Sequence, residues 1–239
     1  MLATVIYGVE LTGQAKSAAA DMDNSNCPKT AGDALGWGQP NRVSNFNDPD
    51  SLASWDVYDS PGHDGNGRRT PSAMSVADGA LTITGDAAGN SGGMAWQPGQ
   101  LHGRWEVCVK SAPAAETYHS VLLLWPDAED WPVGGEVDFM EIWDPTRQSV
   151  DSFLHYGADN SQETGNVRID ATQWHAWAVD WTADRIIMYV DGVPWAQYTN
   201  PAHIPPRSMH LCIQLDNFGG DTSAGGHTTV DWARQYPPA

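Results

Sequence analysis

The 239-residue chain carries 30 Asp and Glu against 12 Lys and Arg, a formal net charge of −18. Nucleic acid and anionic membrane surfaces both need a basic footprint, so this balance excludes them as partners and leaves a neutral polymer compatible. No apolar run reaches the length that spans a bilayer, and the length suits one large domain with a full core, expected to be a monomer.

Residues 1–40 are rich in Ala, Asp, Asn and Gly and lack strand periodicity, which reads as an extension that wraps on the domain. Within it Leu2 to Val9 is mildly apolar and Ala18-Ala19-Ala20 resembles a small-residue cleavage site. No basic leader precedes them, so the segment reads as an export remnant or as a polar extension. The globular domain is expected over residues 41–239. Short β-rich runs recur there between turn signals: Ala80 to Thr84, Arg104 to Lys110, Ser120 to Trp125, Glu136 to Trp143, Ser149 to Tyr156, His175 to Trp181, Arg185 to Val190, Pro194 to Tyr198, Met209 to Leu215 and Thr228 to Tyr236. Asp191-Gly192 is the pair expected of a two-residue hairpin turn. With no long amphipathic helix and no repeat, about ten such strands predict an all-β fold of two packed antiparallel sheets, a sandwich or jelly roll.

Two polar stretches, Asp56 to Ser72 and Asp216 to His227, are too long for hairpin links. The second, with Asn217, Asp221 and His227, is expected at a cleft margin. Cys27, Cys108 and Cys212 match no zinc pattern and leave two readings open: one bridge with a free thiol, or buried reduced thiols at Cys108 and Cys212. The 12 Trp are interleaved with Gly, Asn and Asp rather than gathered in helical stripes. Most are expected in the core, while an exposed Trp among polar neighbours suits stacking on a pyranose face.

The chemistry concentrates in Glu136 to Trp143, where three carboxylates fall inside an apolar strand-like run. Alternation puts Glu136 and Asp138 on one face and Glu141 on the other. One extra residue, at Phe139 or Met140, restores the register as a β-bulge and lines all three on one side. A buried central strand seldom carries charge without a purpose; a calcium cluster or a solvated edge is the plainer reading. Glycoside hydrolysis needs an acid to protonate the leaving oxygen and a second carboxylate to attack the anomeric carbon or activate water. Along an extended strand the Cα atoms of Glu136 and Glu141 lie roughly 13 Å apart, at about 3.3 Å per residue. Their side chains must therefore lean together on a curved sheet to reach the roughly 5–5.5 Å of a retaining mechanism. The expected roles are Glu136 as nucleophile, Glu141 as acid/base, and Asp138 as the partner that orients and tunes Glu136, with one of the three holding a proton at neutral pH.

The segment Trp131-Pro132-Val133-Gly134-Gly135-Glu136-Val137-Asp138-Phe139-Met140-Glu141 resembles the signature of glycoside hydrolase family 16, and its extra residue resembles the bulged, laminarinase-like branch. Gly103-Arg104-Trp105-Glu106, Leu154-His155-Tyr156-Gly157, Trp174-His175 through Trp181, Tyr189-Val190-Asp191-Gly192 and Val230-Asp231-Trp232-Ala233-Arg234-Gln235-Tyr236 resemble further strands of that family, from about Asn45 to Tyr236. The resemblance implies a concanavalin A-like β-jelly roll and a secreted, retaining endo-glycoside hydrolase acting on a β-glucan, foremost β-1,3-glucan of the laminarin type, without an organic cofactor. A transglycosylase or a non-catalytic glucan-binding module on the same fold are the alternatives. It further implies substrate contacts at Trp131 and His155, with Trp143 and Trp125 as additional candidates. A structural calcium is implied at Asp231, with a backbone oxygen from Gly79. The chain departs from the family in Gly92-Gly93-Met94-Ala95-Trp96, in Ser120-Val121-Leu122-Leu123-Leu124 and in Gln214-Leu215-Asp216-Asn217-Phe218-Gly219-Gly220, which bears on the sugar subsites rather than on the carboxylates.

Overall fold

A computed structural model describes residues 25–238, so the apolar run and the Ala18-Ala19-Ala20 segment lie outside the described residues. Among the described residues, seventeen strands form two sheets. The front sheet holds β2 (Asp56–Val57), β3 (Ser60–Pro61), β4 (Arg68–Arg69), β7 (Asn90–Gln100), β9 (Tyr118–Pro126), β10 (Glu136–Ile142), β11 (Ser149–Tyr156), β12 (Ser161–Arg168) and β16 (Met209–Asn217). The back sheet holds β1 (Arg42–Ser44), β5 (Met74–Ala77), β6 (Ala80–Gly85), β8 (Gly103–Ser111), β13 (His175–Trp181), β14 (Ile186–Val190), β15 (Val193–Tyr198) and β17 (Gly226–Tyr236). The order β12-β11-β10-β9-β16-β7 in front and β15-β14-β13-β8-β17-β6-β5 behind is the jelly roll that the strand spacing predicts. Pairing is antiparallel except between β4 and β7.

Alternating residues of both sheets meet in one core that includes Trp96, Trp105, Trp177, Trp181 and Phe139. Seven Trp are buried (Trp37, Trp55, Trp96, Trp105, Trp177, Trp181 and Trp232), whereas Trp131 and Trp143 stand exposed. Asp191 (φ 52°) and Gly192 (φ 77°) both take the left-handed conformation that a tight β14–β15 hairpin requires. Besides the short β1 and β5, two long strands formed where periodicity gave no signal. In β7 the glycines allow close approach: a Cβ on Gly93 would lie 2.9 Å from Tyr58 Cδ2, and one on Gly92 2.9 Å from Ile83 Cγ2. Polar β12 is an edge strand, where unpaired backbone and charged side chains are normal. The stretch Asp56 to Ser72, expected as a loop, contains the short strands β2, β3 and β4.

Residues 25–40 cover the outward face of the back sheet, and this cover explains why that face is buried. Cys27 is bonded to Cys108 of β8 across 81 residues of sequence. Cys108 is thus not a reduced thiol, and the free, buried cysteine is Cys212. Helix α1 (Ala31–Ala34), capped by Thr30 accepting from the Asp33 N–H, sits over Glu106. The fully buried Glu106 carboxylate accepts from the Ala31 N–H at 2.5 Å and the Gly32 N–H at 3.3 Å. Burial pushes its carboxyl up to about 7 against the pull of those two donors. Trp37 closes the cover edge-on to Tyr189 and Tyr236. No helix among the described residues is long and apolar enough to cross a membrane.

Candidate active site

Strand β10 lies near the middle of the front sheet, between β9 and β11. Its pairing with β9 runs Val137 to Leu124, Asp138 to Leu123, then Met140 to Leu122, so Phe139 is the extra residue. The same shift appears against β11, where Asp138 faces Phe153 and Glu141 faces Asp151. Val137, Phe139, Met140 and Ile142 all enter the core. Two successive core residues at the bulge are what return Glu141 to the face of Glu136 and Asp138.

Burial and mutual repulsion dominate the electrostatics of this row. Asp138 is 3% exposed and Glu141 6%. Glu136 is held well above the ordinary carboxylate value, first by burial and then by the Asp138 charge, with His155 opposing. Asp138 is likewise held well above its ordinary value, by burial and then by Glu141, and shares a hydrogen bond with Glu136. A proton therefore resides on this pair at pH values where isolated carboxylates have lost it. His155, paired with Glu136 across β11, brings Nε2 within 3.3 Å of Asp138 Oδ2. Its Nδ1 lies 2.8 Å from Asn160 Oδ1 and 3.2 Å from Gln162 Nε2. Oxygen and nitrogen atoms of Glu136, Asp138 and His155 fall within 4.8 Å of one another, a composition that could also hold a cation.

Aromatic residues flank the row at both ends. Toward Glu136, Trp125 and Trp131 stack with ring centroids 6.3 Å apart, and the Trp125 indole donates to Glu129 Oε2 at 2.8 Å. Trp131 also lies 6.4 Å from His155. Toward Glu141, Trp143 lies just beyond the end of β10 and packs against His119 and Phe218. An open groove of ≈ 1050 Å³ extends from there, lined by His119, Trp143, Asp151, Asn166, Phe218 and Asp221 among others. The structure thus gathers Glu136, Asp138, Glu141, Trp131, His155, Trp125 and Trp143 on one face, with the loop after β16 at its margin. His227, expected there too, lies exposed on β17 and does not line the groove.

Sequence reasoning passed over the β16 contribution. Asp216 accepts from Arg69 Nε at 2.7 Å and Arg69 Nη2 at 2.8 Å, both side chains being largely buried beside Gln214. Tyr58 donates to the free Cys212 thiol at 3.2 Å. His119 was passed over as well. The signal was present: His210, Cys212, Gln214 and Asp216 alternate with Leu211, Ile213 and Leu215, the period of a strand with one face in the core and one in a polar site.

Asp231 and Gly79 meet on the other side of the molecule. Asp231 is the extra residue where β17 shifts register against β8, between Val230 and Trp232. With Asn26, Asn45, Asn47, Asp78 and Trp232 they line a pocket of ≈ 160 Å³. Asp231 Oδ2 accepts from the Asn26 backbone N–H at 2.8 Å and from its amide at 3.1 Å. The lining holds two carboxylates, Asp78 and Asp231, and three side-chain amides, hard-oxygen donors that fit calcium chemically.

The profile of glycosyl hydrolases family 16 matches residues 64–234. A Beta-glucanase of Rhodothermus marinus is 26% identical over 118 residues, 45% of this chain and 41% of that protein. A probable xyloglucan endotransglucosylase/hydrolase of Arabidopsis thaliana is 26% identical over 116 residues, 45% of this chain and 39% of that protein. The matches thus span about two-fifths of the length of these curated relatives. Among solved structures, the laminarinase from Rhodothermus marinus superposes with a TM-score of 0.72 at 20% identity, over 83% of this chain and 96% of that one. LamAcat from Zobellia galactanivorans gives 0.71 at 18% identity, over 85% and 100%. These superpositions establish a shared fold, and the family match spans most of the chain and includes the whole carboxylate row. The chain belongs to the glycosyl hydrolases family 16.

Proposed function

We propose that this chain is a retaining endo-β-1,3-glucanase. The observation that carries the reading is the Phe139 bulge, which brings Glu136, Asp138 and Glu141 to one face between two sets of aromatic side chains. Glu136 attacks the anomeric carbon as the glycosidic C–O bond breaks, and Glu141 gives its proton to the leaving oxygen. Glu141 then takes a proton from water, which attacks the same carbon and releases Glu136. Asp138 shares its proton with Glu136 and so orients the attacking oxygen, while His155 fixes Asp138 from behind. Trp131 and Trp125 offer a stacking surface at the Glu136 end and Trp143 at the Glu141 end. Because the crystallised complex of the Zobellia protein holds laminaritriose and laminaritetraose, laminarin is the first substrate to try.

Incubation with laminarin, lichenan, agarose and xyloglucan, followed by product analysis, tests the reading. Release of oligosaccharides from laminarin well ahead of agarose and xyloglucan is expected; strict preference for agarose or xyloglucan would overturn the substrate. The Arabidopsis relative supports a second reading, transglycosylation, in which a sugar hydroxyl seated in the groove beside Glu141 replaces water. Products longer than the starting oligosaccharide would identify it.

The Cys27–Cys108 bridge supports a secreted protein, since such bonds persist in oxidising compartments. We assign calcium to the Asp231 pocket, where Asp231, Asp78 and the Gly79 backbone carbonyl would hold it. A bound cation there neutralises the Asp231 carboxylate. Calcium at a hundredfold excess over Kd adds ~2.7 kcal/mol. At roughly 2–4 °C per kcal/mol, Tm should fall by about 5–10 °C in EDTA and recover with calcium. Asp231→Ala should abolish that difference; an identical response in the variant would remove Asp231 as a ligand.

A further inference from the structure

His119 is a buried histidine without an assigned role, and its surroundings define what it can do. It enters the front face from β9, 4% exposed, with its ring stacked on Phe218 at 4.1 Å and 12° and closed on another side by Trp143 at 4.5 Å. Nε2 lies 3.2 Å from the Glu116 carbonyl oxygen, which can only accept, so Nε2 carries the proton. In the neutral ring Nδ1 is then a bare lone pair. It is buried and has no hydrogen-bond partner, an arrangement that is rare and costly. Glu141 Oε1 lies 3.8 Å away. The stacked rings hold the imidazole in place, and 3.8 Å is longer than a hydrogen bond, as contacts in a catalytic site often are before substrate binds.

Resting on the reading of Glu141 as acid/base, we propose that His119 is a positioning residue whose Nδ1 accepts a hydrogen bond from the Glu141 carboxyl and so holds its proton ready for the leaving group. An acceptor facing a carboxyl stabilises its protonated form over its charged form, and a general acid must begin protonated. The other ionisable groups facing this pair are Glu136 and Asp138 on β10, Asp151 opposite Glu141 on β11, and Asp216 opposite His119 on β16 with its partner Arg69 from β4. His63 touches the far side of Phe218. None of these groups makes a hydrogen bond to Glu141. Once Glu141 has delivered its proton, the bare lone pair no longer favours it, and Glu141 is left ionised as the base that the second step needs.

His119→Phe keeps a flat ring in the stack and removes the lone pair; His119→Asn loses the stack and keeps an acceptor near the Nδ1 position. A packing role predicts that Phe is the better replacement, and the acceptor role predicts Asn. The expected result on laminarin is a roughly 10- to 100-fold fall in kcat/KM for the Phe variant, partly restored in the Asn variant. The alkaline limb of the Phe variant's pH profile should also move to lower pH. A dinitrophenyl β-laminaribioside, whose leaving group needs little protonation, should suffer about threefold or less. Equal losses on both substrates, an unmoved alkaline limb, or better activity in Phe than in Asn would overturn the proposal. Failure of the underlying reading is separately visible: wild-type protein inert on both substrates, or Glu141→Gln fully active on laminarin, would remove the acid/base assignment itself.

Discussion

Glu136→Gln is expected to remove turnover of laminarin, by on the order of 10⁴-fold or more, because no neighbouring group can replace the attacking oxygen. The fold should survive and even gain. Glu136 ionises at a higher pH in the folded protein than in the unfolded chain, because burial and then Asp138 oppose its charge. Its neutral form therefore favours the folded state: that contribution is full below the pH at which an exposed Glu ionises and is lost as pH rises through the displaced value. Gln never acquires the charge. The variant's Tm should thus equal the wild type's in acid and exceed it increasingly toward neutral and alkaline pH. Thermal scans across pH beside a reducing-sugar assay check both halves; substantial activity in the variant would remove Glu136 as nucleophile. In the wild type, the same displacement places the acid limb of kcat/KM above the ordinary carboxylate range.

Glu141→Ala should lose about 10²- to 10⁴-fold on laminarin, the usual weight of general acid catalysis. With a dinitrophenyl β-laminaribioside the first step needs little acid, so a glycosyl-enzyme should accumulate as a burst and then hydrolyse slowly for want of a base. Azide requires no deprotonation and fits the space vacated by the carboxyl, so it should restore turnover. The product settles the stereochemistry: a β-glycosyl azide records two inversions, hence a covalent intermediate on Glu136, while an α-azide would sink the retaining mechanism. No rescue together with normal laminarin activity would remove Glu141 as acid/base.

The carboxylate row was legible because its chemistry contradicts its surroundings: charge in an apolar run, and one residue too many for alternation. Strand periodicity then forced a bulge at Phe139 or Met140, and pairing puts it at Phe139. The ten strands read from β-rich runs likewise follow from strong local patterning. What stayed illegible depends on partners remote in sequence. Nothing around Asn90–Gln100 says strand until Tyr58, Ile83 and Met74 arrive to fill the space its glycines leave. Residues 161–168 are polar on both faces, and only their place at the edge of the sheet makes them a strand. The Cys27–Cys108 bond joins positions 81 apart, a pairing that three cysteines alone leave open. His119 belongs to the same class, since Phe218 and Trp143 reach it from two other segments.

A strand measures distance in steps of two, so what it conserves for the side chains on one face is parity rather than length. The spacing from Asp138 to Glu141 is odd, and the pair of core residues Phe139 and Met140 acts as a single step that makes it even again. Losing either member of that pair would leave a regular strand with all three carboxylates still on the same side. Losing Val137 would carry Glu136 into the core. The carboxylate row thus tolerates a one-residue change in length at one place and at none of its other joints, and a glucan chain lying across the face would meet the same three groups at a shorter spacing. Length variation at that place alters how far apart Glu136 and Glu141 stand without rewriting either.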